Sequence, residues 1–78
     1  MDDNNIIRAI ESRRAIFELS RAIDHLSSDD FLELPLDERM AHAADYSGKL
    51  PELEKRLPNR PYLQANLHFL GTLLQSYE

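Results

Sequence analysis

Seventy-eight residues with no cysteine, 42 % apolar side chains and a formal charge of −5 describe one small domain, residues 1–78, held together by packing alone. A chain of this size buries only about 60 % of the surface its unfolded form exposes, which leaves little for a second core, and without cysteine there is neither a disulfide framework nor a thiolate for zinc or nucleophilic attack. Fourteen acids against nine bases disfavour direct nucleic-acid binding, because phosphate contacts need a concentrated positive face.

The opening MDDNNIIRAI lacks the basic region and apolar block of a secretory signal, and no run of about 18 apolar residues is present to cross a bilayer. These features predict a soluble, cytoplasmic protein without membrane contact. At about 0.05–0.15 kcal/mol per residue the isolated fold is held by only several kcal/mol, so association with a protein partner is a large relative gain in stability.

A first helix is expected to begin after Asp3 or Asn4, either able to cap free backbone N–H groups, and to run to about Leu26 before the turn-like SSDD. Ile6, Ile10 and Phe17 fall on one side of it, while Ala9, Ile16, Leu19, Ile23 and Leu26 lie along a neighbouring one, a breadth that predicts contact with more than one neighbour. Arg8, Glu11, Arg14, Glu18, Arg21 and Asp24 alternate in sign at spacings of three and four, the pattern of a solvated helix with weak ion pairs. Nucleic-acid contact through Arg13 and Arg14 is the less favoured use of those charges.

Phe31, Leu32 and Leu34 then predict a single apolar helical turn before Pro35 interrupts the backbone bonding. The next helix is expected over Leu36 to about Tyr46, with Leu36, Met40, Ala43 and Ala44 inward. SGK predicts a break with Gly48 as a left-handed helix stop, followed by a short helix from Pro51 to Leu57. PNRP ends that helix and Pro61 opens the last one.

The last segment, PYLQANLHFLGTLLQSY, contains no Asp, Glu, Lys or Arg. On a helical wheel Leu63, Leu67, Leu70, Leu74 and Tyr77 share one sector, extended by Tyr62, Phe69 and Leu73. Asn66 lies within or at the edge of this arc, either bonding a neighbour across a seam or reaching water. The opposite face carries Gln64, His68, Gly71, Thr72, Gln75 and Ser76. Interface centres are depleted in Lys, Glu and Asp because desolvating charge is costly, so Gln64, His68, Gly71 and Gln75 are candidate protein-binding residues, with a homodimer as the simplest product. The plainer reading is that neutral polar groups suffice to solvate a short helix.

Asp29, Asp30, Glu33, Asp37 and Glu38 form an acidic stretch without a base. Most stand where helices start, so capping and interaction with the helix dipole account for them. They are also candidate contacts to a basic partner such as a nuclease, which would make the chain an acidic inhibitor of the immunity-protein, antitoxin or phage-encoded kind. Glu38, His42 and Asp45 share a helical face, but HExxH and a second histidine at helical spacing are missing, so no metal site is assigned and a metal-dependent enzyme ranks third. His25 near the end of the first helix has a structural role toward the helix carbonyls. Two glycines build no phosphate-cradling loop, and neither GxSxG nor a convergent triad is present. No catalytic residue and no cofactor are therefore predicted. The sequence reads as an all-α compact bundle of three main helices plus one short helix, with the first and last helices antiparallel at its centre, and as a noncatalytic protein-binding adaptor or regulator that self-associates through the C-terminal helix.

Overall fold

The computed structural model describes residues 3–78. Four helices follow one another, α1 (Asp3–Leu26), α2 (Asp29–Leu32), α3 (Leu36–Arg56) and α4 (Pro61–Gln75), and the three long ones pack on each other as an all-α bundle. The residues ahead of α1, and the Asp3 side chain expected to cap it, lie outside the described residues.

Helix α1 stops at Ser27 and Ser28. Ser28 has extended backbone, its Oγ accepts from the Phe31 N–H at 3.2 Å, and its hydroxyl donates to the His25 carbonyl at 2.7 Å. One side chain thus satisfies a free donor of α2 and a free acceptor of α1, the two kinds of orphan group a helix end leaves. The single turn of α2 places Phe31 in the core, fully buried, with Leu34 half-buried beside it. Asp29 and Asp30 occupy the first turn of α2, and Asp37 and Glu38 that of α3, where the helix dipole favours negative charge.

The break expected at Gly48 is not there. Helix α3 runs unbroken from Leu36 to Arg56 with Pro51 inside it, and Gly48 has no positive φ. Pro51 removes the bond that would close on the Ser47 carbonyl and destabilises the helix by about 3 kcal/mol. Packing outweighs that term. Ala43, Tyr46, Leu50, Leu53 and Leu57 recur at spacings of three and four straight across the proline, and all five belong to or pack on the core. Burial of Leu53 and Leu57 alone contributes roughly 1.5–3 kcal/mol each. Leu57, which precedes Pro58, is extended, as the proline ring requires of its predecessor, and this ends α3. The short helix of the bundle is therefore α2, not Pro51–Leu57.

Direction follows from specific contacts. Glu18 meets Arg56 at the end of α3, whereas His25 meets His42 near its start, so α1 and α3 are antiparallel. Tyr77, just past α4, meets Phe31, and the Arg39 guanidinium lies over its ring, so α4 is antiparallel to α3 as well. Helices α1 and α4 consequently run parallel, which corrects the antiparallel expectation. Short connections reverse the chain at each step, and once Pro51 fails to break α3 only two reversals separate the first helix from the last.

The core consists of Ala15, Leu19, Ala22 and Leu26 of α1, Phe31, Ala43, Leu53, Leu57, and Leu63, Leu67, Leu70 and Leu74 of α4. Leu36, Met40 and Ala44, expected inward, are exposed. In α3 the core-facing side is centred nearer Ala43, Tyr46 and Leu50, and Leu36 and Met40 fall at its edge. At the α2 end His25, Phe31, His42, Tyr46 and Tyr77 form a cluster of rings with neighbouring centroids 5.2–6.1 Å apart, within the range for favourable tilted and edge contacts.

Candidate interaction surfaces

The core of α1 begins late. Among the residues whose burial is described, none before Ala15 is buried. Because Glu18 is already level with the last residue of α3, the fifteen residue steps from Asp3 to Glu18, about 22 Å of helix, lie largely beyond it, consistent with a longest molecular dimension of 50 Å against 20 Å across. Had these turns awaited another element of the same core, their apolar residues would continue the stripe of Ala15, Leu19, Ala22 and Leu26. They do not. On the wheel Asn4, Arg8 and Glu11 continue that stripe, while Ile6, Ile10 and Phe17 lie about 180° away. These three are 61 %, 51 % and 61 % exposed, and Ile7 is exposed beside them.

The outer face of α1 is thus a strip of large apolar side chains flanked by Arg13, Arg14 and Arg21, with the Arg21 guanidinium 5.7 Å from the Phe17 ring centroid. Contiguous exposed apolar surface marks interaction sites, and aromatic residues and arginine are the types enriched in them. Phe17, Arg14 and Arg21 also form one wall of an open groove of about 980 Å³ between α1 and α3, whose floor includes Ala22, Leu53 and Leu70. Its opposite wall carries Lys49 and Arg56, so this side of an acidic molecule is locally basic. The Glu18–Arg56 pair, 2.8 Å across the groove end, is half-exposed and contributes at most about 1 kcal/mol.

The residues predicted on α4 are where the helical wheel puts them. Gln64, His68 and Gln75 are exposed and Gly71 is half-buried, and a Cβ added at Gly71 meets nothing within 4 Å. No intramolecular contact requires the glycine. Tyr62 and Phe69, counted in the core arc, are instead 55 % and 48 % exposed. With Asn66, also exposed, Tyr62 lines a smaller groove of about 290 Å³ against Ile16, Ser20 and Ile23 of α1. Asn66 thus reaches water at the arc's edge.

All five acids of the predicted acidic stretch are exposed, and among the described residues none is in a salt bridge. Arg39, the first base after them, is drawn inward: its Nε donates to the Leu34 carbonyl at 3.0 Å and its guanidinium faces Tyr77. Leu32 at the end of α2 and Leu36 and Met40 in the first turns of α3 are exposed in the same stretch of chain.

His25 and His42 have ring centroids 5.7 Å apart, a juxtaposition that sequence spacing did not reveal because it is made between helices. Among the described residues no three His, Cys, Asp or Glu side chains are grouped to hold a metal ion, and no helix is long and apolar enough to cross a membrane. Neither a protein family, nor a characterised protein, nor a solved structure matches this chain.

Proposed function

We propose that this chain is a noncatalytic protein-binding adaptor or regulator that self-associates, a homodimer being the smallest product, and that the outer face of α1 is its principal contact surface. The observation that carries this reading is the position of Ile6, Ile10 and Phe17: more than half exposed and turned away from their own core. Full burial of such a side chain is worth roughly 1.5–3 kcal/mol; with more than half of each still exposed, a partner approaching from outside recovers part of that. The neutral face of α4, with Gln64, His68, Gly71 and Gln75, is a second surface free to contribute. A reducing cytoplasm is the compartment this reading assigns, in keeping with the absence of cysteine.

Replacing Ile6, Ile10 and Phe17 together by serine tests it. Circular dichroism is expected to stay unchanged, while mass by light scattering and capture of proteins from the native cell both fall. Unaltered mass and unaltered capture would remove α1 as the contact surface.

A second reading, an acidic inhibitor of a basic protein, is favoured by one observation: five exposed carboxylates at one corner, with the nearest arginine turned inward. Carboxylates so placed steer a basic target and set specificity. Capture should then collapse between low and high ionic strength, because exposed charges more than about 8–10 Å apart are screened at physiological salt. Reversal of Asp29, Asp30, Glu33, Asp37 and Glu38 to lysine with target binding intact would end this reading.

A further inference from the structure

We infer that the chain docks on itself head to tail, the outer face of α1 in one copy receiving the α2–α3 corner of the next; the inference rests on the protein-binding reading above and names the partner as a second copy. Two exposed apolar patches on this molecule have opposite charge. On α1, Ile6, Ile10 and Phe17 are set among Arg13, Arg14 and Arg21, with Asp24 the one acid on the same side among the residues whose burial is described. At the corner, Leu32, Leu36 and Met40, 50 %, 57 % and 44 % exposed, are neighboured along the chain by the exposed Asp29, Asp30, Glu33 and Asp37, while Glu38 falls on the other side of α3.

Arg39, half-buried at this corner, bonds the Leu34 carbonyl and lies over Tyr77, and among the described residues it forms no salt bridge with the five carboxylates, which outnumber it. An apolar centre with opposite charges around it is the complementarity that fixes partner and register.

Geometry excludes closure within one molecule. Helix α1 carries its exposed isoleucines at the far end of the molecule and Phe17 near its own middle, and the corner follows its last residue; on one rigid body 50 Å long the two outward-facing patches cannot fold onto each other. A two-fold antiparallel pairing of α1 with α1 centred on this patch brings Arg13 and Arg14 of both copies together, and like charges across an interface are unfavourable. Contact between unlike patches has no such conflict. It is heterologous, and heterologous contacts continue into rings or open chains rather than stopping at two.

Two doubly substituted full-length chains test this. Ile10→Ser with Phe17→Ser removes the donor face and keeps the corner; Leu36→Ser with Met40→Ser removes the corner and keeps the donor face. All four positions are exposed, and circular dichroism verifies that each variant is folded. In sedimentation velocity the unaltered chain is expected to grow past dimer as concentration rises and to shrink with added salt. Each variant alone should remain monomeric, with association weakened at least about tenfold, and an equimolar mixture should give a dimer that grows no further.

If the Leu36→Ser, Met40→Ser chain dimerises by itself, the pairing is two-fold through α1; head-to-tail docking is then overturned and the protein-binding reading stands. Should the unaltered chain stay monomeric at every concentration, self-docking is overturned, and the loss of captured proteins on serine replacement in α1 decides separately whether α1 binds another protein.

Discussion

Gly71 sits in the middle of α4 with an ordinary helical backbone, and the space beside it is open. Glycine in a helix interior destabilises by roughly 0.5–1 kcal/mol relative to alanine, so Gly71→Ala should stabilise the free protein by that amount, read as a rise in the urea midpoint. The larger Gly71→Arg separates surfaces: unchanged mass and capture with that variant would mean that the neutral face of α4 contacts nothing. Phe31 is the opposite case. It is fully buried, with His25, His42 and Tyr77 rings around it, and it ties the single turn of α2 to three helices. Phe31→Ala should cost about 3–5 kcal/mol, a large share of the stability of so small a domain, and Leu70→Ala about 2–5 kcal/mol. Both are measured by denaturant unfolding.

At the scale of the element, α3 is a helix kept against its local sequence. Pro51 and Gly48 both oppose it, and the leucines that follow hold it by packing. Pro51→Ala restores a backbone donor at an exposed position and should stabilise the protein by up to about 3 kcal/mol, again read from the urea midpoint; a loss of stability would mean that the proline relieves a strain the straight helix carries. Helix α1 divides differently. From Ala15 onward it belongs to the bundle, and before that its apolar residues look outward. Amide exchange along it should therefore be uneven, with protection rising after Ala15, because local opening is governed by how much buried contact a segment has.

For the whole molecule, the consequence is that folding and association draw on different residues. The core residues of all four helices hold the fold, whereas Ile6, Ile10 and Phe17, more than half exposed, contribute little to it. Substituting those three should shift unfolding of the dissociated chain by no more than about 0.5 kcal/mol each while removing association, a split that denaturation at low protein concentration and sedimentation measure independently. The converse holds for Leu70→Ala, which weakens both because an unfolded bundle presents no faces.

Much of this was legible from the letters. The turn at SSDD, the helix start at Pro61, the apolar turn at Phe31, the leucines of α4 and the separation of Ile6, Ile10 and Phe17 from Leu19 and Leu26 all follow from periodicity and backbone chemistry, which act over a few residues and are written locally. Gly48 and Pro51 misled for the same reason: their local signal is a break, and the stripe from Ala43 to Leu57 that overrides it gains its energy only by docking on other helices. The direction of α4, the exposure of Leu36, Met40 and Phe69, and the meeting of His25 with His42 are likewise decided between helices rather than along one. Periodicity alone sorts side chains into faces; which face is covered depends on where the neighbouring helices end, and only the packed bundle fixes that.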